Sequence, residues 1–295
     1  MVPPSKKRKN AWRGGVIQIH VTRACNLSCS NCTQGSQFGG KTEFISIENF
    51  EKAVSSLTGY WGVVGVFGGL PTLHPQFITL CEILRSHFPV SQCGLWCNDP
   101  LGHGKEMRKT FNPKISNLNV HLKKSAFDEF KRDWPESDPF GLNEDSKHAP
   151  VHGLLSKFIP DEGERWGVIS KCAINQNWSS MICQFRGEAR AFFCEVAASQ
   201  AILNQYNPEY PDTGHKVTDG WWLKSMQDFY DQVSFHCHRC LVPLNGIGHM
   251  AQTESVTTVT SEYSDFKLKG SSHVLEIIDE KKVEDSGRIA TRYIY

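Results

Sequence analysis

The chain has 295 residues, a formal net charge of +1 and 39% hydrophobic residues, which is ordinary for a globular protein large enough to bury a sizeable core. The near-zero charge gives no global electrostatic case for a nucleic-acid or membrane partner, and no apolar run approaches the roughly 20 residues of a membrane span. No secretory signal is visible, so the eleven cysteines predict metal binding in a reducing, cytoplasmic compartment rather than a disulfide framework.

The first predicted strand leads into a loop that carries three cysteines. Residues 1–13 are expected to form a flexible basic start, and residues 16–21 have the β-branched content and period of two of a strand. Cys25, Cys29 and Cys32 follow at the spacing C-x3-C-x2-C. Three thiolates close neither the tetrahedral shell of zinc nor the four corners of a [4Fe–4S] cluster, so one coordination position stays open for chemistry. The alternative is a zinc knuckle or three incidental cysteines.

Helical and strand patterns then alternate up to about residue 122. The patterns predict helices that begin after the N-cap Ser46 and at about residues 76 and 105, and strands at 63–67, 93–97 and 118–122. Such alternation indicates βα units and a parallel sheet, whose functional residues lie at the carboxyl ends of the strands. Residues 132–165 are rich in Pro, Asp, Glu, Ser and Gly and are predicted to be irregular, with one short strand near 151–158.

The cysteine loop resembles the cluster loop of radical S-adenosylmethionine (SAM) enzymes. The resemblance implies an α/β fold with a partial (β/α) barrel and a [4Fe–4S] cluster held by Cys25, Cys29 and Cys32. It further implies that the open iron binds SAM and that an electron, supplied by a donor such as flavodoxin or ferredoxin, cleaves SAM. The resulting 5′-deoxyadenosyl radical would abstract a hydrogen atom from the substrate.

A glycine motif after the second strand extends this resemblance. Gly68-Gly69-Leu70-Pro71 stands where the family has Gly-Gly-Glu-Pro, in which backbone carbonyls receive the ammonium group of SAM. Glycine suits such a place because the backbone approaches a ligand without a Cβ between them. Leu70 departs from the family pattern, since it replaces the usual Glu and removes any carboxylate contact.

Four further residues are implied to lie near SAM. Asn31 replaces the usual aromatic residue near the adenine, which is a second departure from the pattern. Asn98 resembles the polar residue that faces SAM at the end of the third strand, and His121 or Lys123 is expected near the ribose or the carboxylate. The alternative for Asn98, His121 and Lys123 is a turn cap and two solvated strand-end residues.

A second set of cysteines follows residue 165. A predicted hairpin at 181–194 and a predicted helix at 219–233 lead into His236-Cys237-His238-Arg239-Cys240. This arrangement resembles the twitch domain, a shortened SPASM-like auxiliary-cluster module of some radical SAM enzymes, in which four cysteines hold one [4Fe–4S] cluster. The resemblance assigns that role to Cys172, Cys194, Cys237 and Cys240.

Two points in this second set have other interpretations. Cys183 lies on an alternating strand and is predicted to be a buried apolar residue rather than a ligand. The alternative to an auxiliary cluster is a structural zinc held by Cys237, Cys240, one of the two neighbouring histidines His236 and His238, and a distant cysteine.

The predicted organisation is a basic start at 1–13, a radical SAM core at 14–165, a hairpin-plus-helix auxiliary-cluster domain at 166–250 and an extension at 251–295. The predicted function is a radical SAM enzyme that oxidises, rearranges or forms a C–C bond in a small molecule, peptide or nucleobase, with the second cluster aiding electron transfer. The class of enzyme, whether oxidoreductase, isomerase or transferase, is left open. One alternative is the same chemistry on a nucleobase in nucleic acid, suggested by the basic residues at 6–9. Another is a non-catalytic iron–sulfur or zinc protein, for which Leu70 and Asn31 would mark a decayed SAM site.

Overall fold

The fold is mixed α/β and is built on one six-stranded sheet. In a computed structural model of the chain, the described residues are 15–143, 150–172, 180–245, 256–263, 265–269 and 274–277. The strands are β1 (Val16–Thr22), β2 (Val63–Gly68), β3 (Cys93–Leu95), β4 (Ser180–Phe185), β5 (Glu188–Phe192), β6 (His215–Lys216), β7 (Val256–Val259) and β8 (Val274–Ile277). The large sheet has the order β3-β2-β1-β4-β5-β6, and β7 and β8 form a separate parallel pair.

Eight helices connect or cover the strands in the part of the chain that the structure describes. They are α1 (Ile47–Ser55), α2 (Phe77–His87), α3 (Gly104–Thr110), α4 (Lys124–Asp133), α5 (Glu162–Ser170), α6 (Glu195–Asn204), α7 (Tyr230–His236) and α8 (Val242–Asn245). The N-cap of α1 is Ser46 as predicted, since its hydroxyl accepts from the backbone N–H of Asn49 at 3.1 Å. None of these described helices is long and apolar enough to cross a membrane.

The parallel strands determine where the loops of interest lie. Strand β1 is parallel to both β2 and β4, and β2 is parallel to β3. Every residue of β1 is buried, as expected of a central strand covered on both faces. The carboxyl ends of β1, β2 and β3 therefore share one edge of the sheet. The cysteine loop follows β1, Gly68 is the last residue of β2, and Asn98 follows β3.

The predicted strand at 118–122 is only partly formed. Asn117 and Asn119 make isolated parallel bridges to Trp96 and Phe140, beyond the β3 edge of the sheet. His121 and Leu122 have φ values of +44° and +65°, so the extended chain ends there in a turn. This prediction is therefore corrected to a short extended segment.

The predicted irregular region also needs correction. It overlaps the end of α4 and contains the first turn of α5, whose N-cap Asp161 accepts from the N–H of Glu164 at 2.8 Å. The predicted strand near 151–158 is one antiparallel bridge between His152 and Cys240, followed by a 3₁₀ turn at Leu155–Lys157. The acidic cap before α5 was a signal for this helix.

The predicted hairpin is confirmed as β4 and β5, which pair antiparallel. Strand β4 also pairs with β1, so the hairpin extends the same sheet that carries the cysteine loop. The predicted helix at 219–233 is wrong in its first part, where two 3₁₀ turns precede α7. The four-part domain division stays a prediction, and its basic start, with residues 6–9, lies outside the described residues.

Candidate metal and cofactor site

The cysteine loop is folded back on itself by one arginine. The guanidinium group of Arg23 donates to the backbone carbonyls of Gly35 at 3.3 Å, Phe38 at 2.7 Å, Gly39 at 3.3 Å and Lys41 at 3.1 Å. Hydrogen bonds from a charged donor are stronger than neutral ones. Arg23 therefore organises the loop from its first turn, a role that the sequence analysis missed.

The three predicted ligands of the open-site cluster are brought together. Leu27 and Cys29 form a small buried apolar cluster, and Cys25 and Cys32 pack against it. The backbone N–H of Leu27 donates to Sγ of Cys25 at 3.4 Å. The pKa of Cys25 is raised to about 11, mainly by burial and in smaller part by the neighbouring Cys32. Three soft sulfur donors in apolar surroundings fit an iron–sulfur cluster, whose binding would replace the thiol protons.

Gly68 and Gly69 hold the glycine segment directly against this loop. A Cβ on Gly68 would lie 2.3 Å from the carbonyl oxygen of Thr22, and a Cβ on Gly69 would lie 2.3 Å from that of Ala24. The N–H of Gly69 donates to the Thr22 carbonyl at 2.7 Å. The sequence analysis explained these glycines by the approach of a ligand. The structure adds another reason, which is that the end of β1 and the start of the cysteine loop occupy the space of the two side chains.

The two departures from the family pattern lie at buried positions. Leu70 is fully buried and belongs to the main hydrophobic core. Its N–H donates to the Ala24 carbonyl at 2.6 Å, so the backbone link to the cysteine loop does not require a Glu side chain. Pro71 opens a buried 3₁₀ turn, and Asn31 is buried with a φ of +53°. Leu70 thus contributes packing where the family places a carboxylate.

The end of β3 contacts the cysteine loop through two adjacent side chains. Nδ2 of Asn98 lies 3.7 Å from Sγ of Cys25, and the buried Oδ1 of Asn98 has no hydrogen-bond partner among the described residues. Asp99, which the sequence analysis did not single out, accepts from Nδ2 of Asn26 at 2.9 Å and pairs with the ammonium group of Lys123. A buried amide oxygen without a partner beside a candidate cluster ligand is suited to a polar cofactor.

Lys123 and His121, the other two predicted cofactor residues, have different contacts. Lys123 joins the site through Asp99, so its charge is already paired. His121 lies in the left-handed turn, and its N–H donates to Oδ1 of Asn119 at 3.0 Å. Burial lowers the pKa of His121, which favours the neutral ring. Lys123 is therefore linked to the cysteine loop through Asp99 and Asn26, whereas the N–H of His121 is bonded within its own turn.

The four cysteines of the second set line one pocket. This pocket holds about 300 Å³ of open space, and its walls include Cys172, Cys194, Cys237 and Cys240, with Phe193, Val196 and Val242. Burial raises the pKa of Cys194, and the neighbouring Cys172 and Cys240 raise it further. Burial also raises the pKa of Cys240, and the neighbouring Cys172 and Cys237 contribute to the increase. Residues far apart in the sequence thus form one sulfur-rich, largely apolar cavity.

The other cysteines lie elsewhere in the core. Cys183 is fully buried within β4, as predicted. Cys81, Cys93 and Cys97 are buried as well, and Sγ of Cys97 donates to the carbonyl of Asp99 at 3.1 Å. Burial raises the pKa of Cys97 to about 12. A buried thiol with a raised pKa is inert as a nucleophile.

The histidines of the zinc alternative have other contacts. Nδ1 of His236 lies 2.9 Å from Oε1 of Gln200, and its Nε2 lies 2.8 Å from Oγ1 of Thr213. Both ring nitrogens are therefore engaged, which disfavours His236 as a metal ligand. The ring of His238 packs edge-on against Trp166 with 4.8 Å between centroids.

Within the described ranges, no group of three or more His, Cys, Asp or Glu side chains is arranged to hold a metal ion as it stands.

The chain matches no protein-family model and no curated relative. Among solved structures, it is similar to BtrN in complex with AdoMet and 2-DOIA, at 12% identity and a TM-score of 0.42, over 66% of this chain and 82% of BtrN. It is also similar to selenomethionine BtrN in an open conformation, at 11% identity and a TM-score of 0.39, over 77% and 85% of the two chains.

Proposed function

We propose that the chain is a radical SAM enzyme whose open-site [4Fe–4S] cluster is held by Cys25, Cys29 and Cys32. The observation that carries the proposal is the packing of Cys25 and Cys32, both partly buried, against the buried Cys29 in the loop that follows β1. The parallel strands and the bridges at Asn117 and Asn119 support a partial (β/α) barrel. Carboxyl ends of parallel strands are where such folds carry their active sites.

The chain's own residues have separable roles in this proposal. The cluster, when bound, supplies the electron that cleaves SAM to a radical able to abstract hydrogen from an unactivated C–H position. Gly68 and Gly69 keep the backbone after β2 against the cysteine loop. Asn98 offers a buried amide oxygen to a donor group on SAM, and Asp99 fixes the loop through Asn26.

The second set of cysteines supports an auxiliary [4Fe–4S] cluster. Cys172, Cys194, Cys237 and Cys240 supply four sulfur donors from one pocket, which is a complete ligand set for such a cluster. Its proposed role is to accept or relay an electron during oxidation, rearrangement or C–C bond formation. The small-molecule, peptide or nucleobase substrate, the flavodoxin-like or ferredoxin-like donor and the cytoplasmic location remain predictions.

One experiment tests the cluster assignment and the activity together. The protein is reconstituted anaerobically with iron and sulfide, reduced and incubated with SAM, and 5′-deoxyadenosine is measured. We expect it to form, and Cys29→Ala should abolish it, whereas Cys183→Ala, which changes a core cysteine in β4, should retain it. Full iron loading without 5′-deoxyadenosine, or equal product from Cys29→Ala, would overturn the proposal.

A second candidate is a non-catalytic iron–sulfur or zinc protein. It is favoured by Leu70, because a buried apolar side chain stands where the family has a Glu. The same assay separates the two candidates. A non-catalytic protein would bind iron or zinc through the cysteines but would not cleave SAM under reducing conditions.

A further inference from the structure

The C-terminal extension returns to the cysteine loop, although its sequence has no motif that predicts this. The N–H of Gly39 donates to the carbonyl of Lys267 at 2.7 Å, and the N–H of Lys269 donates to the carbonyl of Gln37 at 2.8 Å. These are backbone bonds, so they hold residues 265–269 alongside the second half of the loop whatever their side chains.

An apolar contact fixes the extension in this position. Phe38, Val259 and Tyr263 form a buried cluster, and the rings of Phe38 and Phe266 have centroids 5.1 Å apart. Burial of these apolar side chains stabilises the extension in this position. The described residues 259–268 of the extension therefore pack against the cysteine loop.

The extension brings the ammonium group of Lys269 to Cys25, the first of the three proposed cluster ligands. Nζ of Lys269 donates to the backbone carbonyl of Cys25 at 2.6 Å, across 244 positions of sequence. Lys269 is otherwise exposed, whereas Lys123 is paired with Asp99.

We propose that Lys269 is a positioning residue of the C-terminal extension whose charge raises the reduction potential of the cluster at Cys25, Cys29 and Cys32. The inference rests on the proposed function, because it requires that cluster. Reduction adds one electron, delivered by an external one-electron donor, to a cluster that already carries three thiolates. A nearby cation stabilises the more negative, reduced form more than the oxidised form.

The test is the midpoint potential of this cluster in the reconstituted full-length protein. The potential is followed by electron paramagnetic resonance at a series of applied potentials, and the signal of the open-site cluster is identified by its change when SAM is added. The variants are Lys269→Met, Lys269→Gln and Lys269→Arg. Lys267→Met is the matched control, because Lys267 is exposed in the same segment and its hydrogen bond with Gly39 uses the backbone carbonyl, which the substitution keeps.

We expect Lys269→Met and Lys269→Gln to have a more negative potential than the wild type, and Lys269→Arg and Lys267→Met to keep the wild-type value. Gln retains an N–H donor for the Cys25 carbonyl but lacks the charge. A wild-type potential in Lys269→Gln would therefore overturn the role of charge, even if Lys269→Met loads poorly with iron. Equal potentials in the wild type and Lys269→Met would overturn the inference and leave the cluster assignment standing. Iron content that Cys29→Ala does not reduce would instead overturn the proposed function and this inference together.

Discussion

Asn26 and Asp99 are 73 positions apart in the sequence, yet Nδ2 of Asn26 donates to Oδ2 of Asp99 at 2.9 Å. The bond ties the cysteine loop to the segment after β3. Oδ2 of Asp99 also pairs with Lys123, and Oδ1 accepts from the N–H of Leu101 at 3.3 Å. One buried carboxylate thus joins three separate turns at the candidate site.

Replacing Asp99 by Ala should weaken the fold and loosen the cysteine loop. Removal of the Asp99 carboxylate leaves the Asn26 amide and the Lys123 ammonium group without this acceptor. We therefore expect a loss of about 1–3 kcal/mol in the free energy of unfolding. Asp128→Ala is the control, since the exposed Lys124–Asp128 pair is worth less than about 0.5 kcal/mol. Urea unfolding of the cluster-free protein measures both. Equal losses in the two variants would show that Asp99 has no special structural role.

Gly69 offers a steric test of the contact between the glycine segment and the cysteine loop. A Cβ on Gly69 would meet the carbonyl oxygens of Ala24 at 2.3 Å and Arg23 at 2.8 Å, so the loop must shift in Gly69→Ala. We expect a destabilisation of about 1–3 kcal/mol and reduced iron loading. Gly167→Ala in α5 is the matched control, because a Cβ there meets nothing within 4 Å and Ala favours a helix. Full loading of Gly69→Ala would mean that the loop tolerates the shift.

The sequence predicted those parts of the molecule whose signals are local. Strand β1, the Ser46 cap of α1 and the C-x3-C-x2-C loop each depend on residues within a few positions of one another. Helix α6 was missed because residues 195–202 are all buried, so its sequence has no amphipathic period. The roles of Asp99 and Lys269 depend on partners 73 and 244 positions away, and no local pattern encodes such contacts.

His20 should make the stability of the cluster-free protein depend on pH. Burial, together with the charge of Arg23, lowers the pKa of His20 to about 3 from an ordinary value near 6.5. The unfolded chain therefore binds the proton more readily than the folded chain between these values. The stabilising effect of the neutral ring is fully present above about pH 6.5 and is lost as the pH falls towards 3.

Between pH 6.5 and 4.5 this loss amounts to about 2–3 kcal/mol for His20 alone. Urea unfolding at a series of pH values should show that the free energy of unfolding depends less steeply on pH in His20→Gln than in the wild type. The slope that remains belongs in part to His152 and His236, because burial lowers the pKa of the first to about 4 and of the second to about 3. An unchanged slope in His20→Gln would contradict the prediction.

The second cysteine pocket is tested by metal content. If Cys172, Cys194, Cys237 and Cys240 hold a second cluster, Cys194→Ala should lower the iron content by about four per chain, because each [4Fe–4S] cluster carries four irons. Cys183→Ala is the matched control, since Cys183 is equally buried but is absent from the walls of the pocket. If the wild type contains zinc and Cys194→Ala loses it, the pocket holds a structural zinc ion and not a second cluster. His238→Ala would then separate the two zinc ligand sets, because the ring nitrogens of His236 are already engaged with Gln200 and Thr213.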